Sequence, residues 1–138
     1  NFISRIAFNG DYPYIAPFLY VFDGEHLYFL STRYGRKIEL LKRNPYVAVE
    51  IEHYSDDLSE YRFVTLQGQI VEENDPSTKR RVKEMFADLI EKRGLSRNIL
   101  RALGHSPEDP LNCLVEMDRS YVWKLVEVVD IVGIKGGE

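Results

Sequence analysis

Apolar and polar residues alternate over much of this chain, and the alternation predicts mostly strands. In Phe2–Phe8, Ile6 and Phe8 fall on one side of a two-residue period, and Asn9-Gly10-Asp11 then predicts a turn. Pro13–Phe22 is apolar and aromatic, Asp23-Gly24 carries a type I′ turn signal, and His26–Ser31 returns as its hairpin partner. Pro13 and Pro17 cannot donate to a ladder, which places that strand at an edge or a bulge. Tyr46–His53 alternates Val47, Val49 and Ile51 against Ala48, Glu50 and Glu52. Tyr61–Glu73 is a longer strand with Gly68 as a bulge or a point of close approach. Asn112–Met117 and Tyr121–Ile134 are the last expected strands, with Gly136-Gly137-Glu138 as a loose tail.

Three stretches change period. Gly35–Arg43 spaces Ile38, Leu40 and Leu41 as a short helix that Asn44-Pro45 stops. Asp75-Pro76 supplies an N-cap and a first-turn proline for a longer helix with Val82, Met85, Phe86, Leu89 and Ile90 on one stripe, closed by Gly94. Ser96–Leu103 is a second short helix ending at Gly104, and His105–Pro110 is a loop. The elements do not alternate β with α, which disfavours a parallel doubly wound sheet. The expected fold is mainly β (α+β): an antiparallel barrel of six to seven strands, with a short helix after the third strand and an inserted helical pair.

With 138 residues and 44% hydrophobic content, residues 1–138 suit a single domain. A net charge of −4 argues against a nucleic-acid partner. One cysteine, Cys113, excludes an internal disulfide framework and fits a reducing compartment, so the cytoplasm is expected. No apolar run approaches the roughly 18–20 residues of a membrane span, and no membrane partner is expected. The first residue is Asn1 rather than Met, which suggests that something upstream is missing.

Ser31-Thr32-Arg33-Tyr34-Gly35-Arg36-Lys37 breaks a local rule, because it puts Arg36 and Lys37 in the first turn of the short helix. That end already carries partial positive charge, so each cation costs about 0.3–1 kcal/mol there. A bound phosphate would reverse the sign through backbone N–H groups, hydroxyls and charge-assisted bonds. The competing reading is a solvated basic turn whose cations reach Glu25 or Glu39. The aromatic Pro13–Phe22 strand and the single tryptophan, Trp123, favour a phosphate that carries an aromatic group. A flavin does, although core packing alone would also account for Trp123.

Gly35-Arg36-Lys37 followed by Asn44-Pro45-x-Val47, with Pro13-Tyr14 and Asp23-Gly24 upstream and Tyr61-Arg62 and Gly68 downstream, resembles the pyridoxamine phosphate oxidase-like family of FMN-binding split barrels. The nitroimidazole-resistance subset is the most similar. The resemblance runs from about Ile3 to Glu73, and Val122-Trp123 resembles the family's late tryptophan strand. It implies a split barrel and a homodimer with FMN at the interface, acting as a flavin-dependent oxidoreductase on a small molecule. Arg36 and Lys37 would hold the phosphate, with Ser31 and Thr32 adding hydroxyl bonds. Ile15, Ala16, Pro17 and Phe18 would run along the ribityl chain and ring, Arg62 would lie beside a cofactor contact, and Trp123 would approach the ring from the partner subunit. Tyr20 stands where the true oxidase has a substrate-gripping lysine, so the vitamin substrate is not expected. Alternatives within the fold are a non-enzymatic flavin or haem binding module and a deazaflavin-dependent reductase.

His26, His53, His105 and Cys113 show no metal-ligand spacing, and no metal is expected. His105 is read as a loop histidine making ordinary backbone bonds rather than a haem ligand or proton donor. Asp56, Asp57 and Glu60 read as a solvated loop. Lys79-Arg80-Arg81 with Lys83 reads as the outer face of the long helix. No residue stands out as a general acid or base, and the catalytic residues are left unassigned.

Overall fold

A computed structural model describes residues 2–137. Its elements are β1 (Ile3–Phe8), β2 (Tyr14–Phe22), β3 (Leu27–Thr32), α1 (Arg36–Arg43), β4 (Tyr46–Tyr54), β5 (Tyr61–Glu72), α2 (Pro76–Lys92), α3 (Ile99–Ala102), α4 (Cys113–Glu116) and β6 (Ser120–Gly136). The strands pair in the order β1-β2-β3-β6-β5-β4, a closed barrel, and the β1–β2, β1–β4, β2–β3, β3–β6 and β4–β5 ladders are antiparallel. The expected fold class is what forms. The chain groups into two compact units: residues up to Leu19, Arg36–Val71 and residues from Leu125 in one, and Tyr20–Gly35 with Glu72–Lys124 in the other.

In the first unit, β1 pairs on both sides, with Ile6 opposite Ala16 in β2 and Val49 in β4. Ile6, Phe8, Val47 and Val49 are buried, as the alternation requires, and the Phe8 ring lies 6.2 Å from Phe18. β2 pairs with β1 through Leu19 and with β3 from Tyr20, so Pro17 sits opposite Arg5 in the stretch before the second ladder begins. A residue without an N–H fits there. Gly68 is a close approach rather than a bulge. The β4–β5 register runs through it without a break, and a Cβ there would lie 2.8 Å from the Val126 carbonyl oxygen.

The second unit buries Phe29, Leu30, Val82, Phe86, Ile90, Leu100, Leu114 and Val122. Asp75 caps α2 by accepting from Thr78 N at 2.9 Å, and Leu95 N bonds back to the Ile90 carbonyl past Gly94, whose φ is +60°. Three expectations are corrected here. Asn112–Met117 is not a strand: Cys113 N bonds to the Pro110 carbonyl and Glu116 N to Asn112, making one helical turn. The three-residue apolar run Cys113-Leu114-Val115 does not distinguish the two, and α4 buries Cys113 and Leu114. Lys83 is not on the outer face. It is 4% exposed because it lies one turn from Phe86 on the same ridge as Ile90. The β2–β3 turn is not type I′, since Asp23 N bonds to the His26 carbonyl and the positive φ falls on Gly24 and not on Glu25. The expected loose tail is also strand as far as Gly136, and Glu138 lies outside the described residues.

Candidate functional site

Ser31–Lys37 joins β3 to α1, and the boundary between the units falls after Gly35. On the β3 side Ser31 and Thr32 are buried. Ser31 Oγ donates to the Thr32 carbonyl at 2.8 Å and Thr32 Oγ1 to the Tyr34 carbonyl at 3.3 Å, so both hydroxyls fold back onto local backbone. Gly35 has φ of +108°, a conformation that only glycine adopts without strain.

α1 starts at Arg36, directly after a glycine that has no side chain to cap the first-turn N–H groups. α2 shows the contrast, since Asp75 fills that role there. Arg36 is exposed, with its guanidinium 5.9 Å from the centroid of the Tyr14 ring. Lys37 is half-buried, and that burial lowers its amine below the usual lysine pKa. A partly desolvated cation gains more from an anion than a fully hydrated one. Ile38 and Leu40 anchor the helix, which packs on β1. Gly10 makes room, because a Cβ there would come within 2.9 Å of Leu40 Cδ2.

The other expected contacts are distributed as follows. Ile15 and Pro17 are exposed on β2, Ala16 is half-buried, and Phe18 is buried with its carbonyl accepting from Ser4 Oγ at 3.1 Å. Arg62 is exposed on β5, opposite His53. Trp123 pairs with Phe29 and is 2% exposed, enclosed by its own chain as a packing residue would be. Tyr20 is half-buried; burial raises its phenol pKa, with Arg93 opposing.

A cavity of about 370 Å³ opens in the first unit, lined by Asn9, Pro13, Tyr46, Gln67, Gly68, Gln69, Glu127 and Val129 among others. None of the residues expected to hold a cofactor lines it. Its wall contains Glu127, which takes φ of +48° within β6 and accepts a hydrogen bond from Gln69 Nε2. Non-glycine residues rarely adopt that conformation outside turns. Sequence patterning gave no signal for this cavity, because its lining comes from β1, β4, β5, β6 and the β1–β2 loop.

A second cluster lies in the other unit. His105 Nδ1 and Nε2 have no hydrogen-bond partner among the described residues, although the side chain is buried at 5% exposure. The expected backbone bond is made, from the His105 N–H to the Leu100 carbonyl at 2.8 Å, and the unbonded ring is what the sequence did not show. Burial, then Arg119, holds the imidazole pKa below its usual value, and burial raises that of the Cys113 thiol. Ligand atoms of His105, Asp109 and Cys113 lie within 4.8 Å of one another. In the sequence the cluster shows as a His-x3-Asp-x3-Cys spacing, which histidine and cysteine positions alone do not reveal.

Comparison with known proteins gives consistent findings. Residues 1–111 match the family described as pyridoxamine 5'-phosphate oxidase. A FAD-binding protein from Mesorhizobium loti is similar in structure, with a TM-score of 0.68, 21% identity, and coverage of 100% of this chain and 87% of that one. HutZ, the haem storage protein of Vibrio cholerae, follows at 0.65 and 16%, covering 98% and 87%. A candidate 5-nitroimidazole antibiotic resistance protein from Bacteroides thetaiotaomicron scores 0.61 at 19%, covering 95% and 75%. No curated protein matches.

Proposed function

The chain belongs to the pyridoxamine 5'-phosphate oxidase family, and on that premise we propose that it binds FMN with the phosphate seated at the start of α1. One observation carries the reading: Arg36 and Lys37 occupy a helix start whose cap position is Gly35. The donor set suits a phosphate monoester, with a forked guanidinium and a compact ammonium at the positive end of the helix dipole. Ser31 and Thr32 would join by turning their hydroxyls away from the backbone carbonyls they now reach. The exposed Ile15 and Pro17 offer apolar edge to the ring system, and Arg62 a further cation. Trp123 is not needed for this reading.

A bound flavin supplies hydride and electron transfer, while the chain binds and orients it. We read the protein as a flavin-dependent oxidoreductase of a small molecule, working as a homodimer in the cytoplasm. The cavity in the first unit is of a size that suits a small substrate. Anaerobic reduction by NADH, NADPH or reduced deazaflavin, tried in parallel, identifies the electron donor.

The test is FMN titration of the Arg36→Ala/Lys37→Ala variant. Two charge-assisted bonds are worth about 3–6 kcal/mol, so affinity should fall roughly 10²- to 10⁴-fold with the fold intact by circular dichroism. Full flavin occupancy in the variant would refute the phosphate assignment. A second reading, haem binding, draws on the likeness to HutZ, and a Soret band in the purified protein would favour it.

A further inference from the structure

The cluster of His105, Asp109 and Cys113 has no role in flavin binding, yet it has the features of a ligand site. Three different donor types converge: an imidazole nitrogen, a carboxylate oxygen and a sulfur, within 4.8 Å of one another. Two of the three residues are enclosed, Cys113 at 2% and His105 at 5% exposure, while Asp109 is half-exposed and opens the cluster to solvent. A buried imidazole with neither nitrogen bonded is an unusual expense for a fold, because an unmet buried polar group costs about 1–3 kcal/mol. Something that accepts or donates at that ring would remove the penalty.

The local backbone fixes the three side chains. His105 follows Gly104, whose φ is +88°, and its N–H is tied to the Leu100 carbonyl. A Cβ on Gly104 would press within 3.0 Å of the Arg119 carbonyl oxygen, so the loop is seated where only glycine fits. Asp109 is held twice: one carboxylate oxygen accepts from Ser106 N at 3.1 Å, and its carbonyl accepts from Arg97 Nη1 at 2.7 Å. Cys113 opens α4, with its N–H on the Pro110 carbonyl at 2.9 Å.

We propose that His105, Asp109 and Cys113 form a binding site for a divalent transition metal of the zinc class. The mixed nitrogen, oxygen and sulfur set suits a borderline-soft ion, and not calcium or magnesium, which take oxygen ligands. Bond lengths of about 2.0–2.3 Å put tetrahedral ligands roughly 3.3–3.6 Å apart, so the donors close in by up to about 1.5 Å on loading. Three protein donors leave the fourth position to a water, on the side where Asp109 meets solvent. Coordination releases the Cys113 proton to solvent, and the thiolate and carboxylate together balance the two positive charges of the ion. Arg119, Arg97 and Lys83 are the cations whose fields reach the cluster; Arg119 and Arg97 favour the thiolate form of Cys113.

The test uses the full chain, stripped with chelator and titrated with Co²⁺ and then Zn²⁺, alongside Cys113→Ser and Asp109→Asn. The expected result is one Co²⁺ per chain with a thiolate-to-cobalt charge-transfer band that Zn²⁺ abolishes. In Cys113→Ser the band disappears, and Zn²⁺ affinity falls by more than the roughly 10- to 100-fold that loss of an outer-sphere partner costs. Asp109→Asn weakens Zn²⁺ with the band retained; its half-exposed position keeps the comparison available if the serine variant does not fold. A wild-type protein without the charge-transfer band, or Zn²⁺ affinity unchanged in a folded Asp109→Asn variant, overturns the site. FMN content is measured on the same samples, so failure of metal uptake and failure of flavin binding are read separately.

Discussion

At the scale of single residues, Asp118 gathers three cations of the second unit. Arg33 Nη2 reaches it at 2.6 Å, Lys83 Nζ at 3.5 Å and Lys79 Nζ at 3.7 Å. Only Lys83 is enclosed, and burial pushes its amine pKa down while Asp118 opposes the shift. Removing the carboxylate takes away the partner of an enclosed cation, but Asp118 itself is 62% exposed and solvent screens the pair, so Asp118→Asn should lower stability by up to about 1 kcal/mol at neutral pH in urea unfolding. The pH dependence follows from the same contacts. The hydrogen bond from Arg33, above the other causes, holds the Asp118 carboxyl below its ordinary value of 3.8. Its contribution is therefore present above that value and is lost as pH falls through the lower, folded-state value, a loss that Asp118→Asn should abolish. The sequence reading placed Lys83 among solvated cations because Lys79, Arg80 and Arg81 precede it. Charge runs show where solvent is expected, whereas the 3.6-residue period decides which member of the run turns inward.

At the scale of elements, the caps and stops were legible because each has a local cause. Asp75-Pro76 begins α2 and Gly94 ends it where the residue types require. Replacing Asp75 by Ala removes the bond to Thr78 N and should cost about 0.5–2 kcal/mol, seen as a lower thermal midpoint. α4 was not legible. Its apolar residues span a single turn, and what selects helix over strand is burial of Cys113 and Leu114 in a core built largely from distant segments. α1 was legible in extent, and the frustration at its start is present in the structure: Arg36 and Lys37 stand in the first turn, directly after Gly35. The hydroxyls of Ser31 and Thr32 were read as donors to a phosphate, but periodicity says nothing of rotamers, and both point to backbone carbonyls.

At the scale of the molecule, β6 carries information that the sequence withheld. Through Val126 it alternates buried and half-buried residues, but from Glu127 onward almost every residue is exposed. Val129, Ile131, Val132 and Ile134, on both faces, are all more than half exposed. An uncovered apolar strand of this kind is a site of association. Sedimentation should therefore show a dimer of the wild-type chain, with Val129→Asp/Ile131→Asp shifting it to monomer; a wild-type monomer at high concentration would remove the support for the homodimer. The barrel itself was legible from the two-residue period and its turn signals, whereas the cavity beside Gly68 depends on contacts that no local pattern encodes, and the cluster at His105 shows in the sequence only as a His-x3-Asp-x3-Cys spacing. The central claim concerns a phosphate, and riboflavin differs from FMN by that group alone. Parallel fluorescence titrations of the wild-type chain with the two flavins test it most directly. FMN should bind more tightly by roughly 10²-fold or more, a preference that vanishes in Arg36→Ala/Lys37→Ala. Equal affinity of the wild type for both flavins would contradict the account.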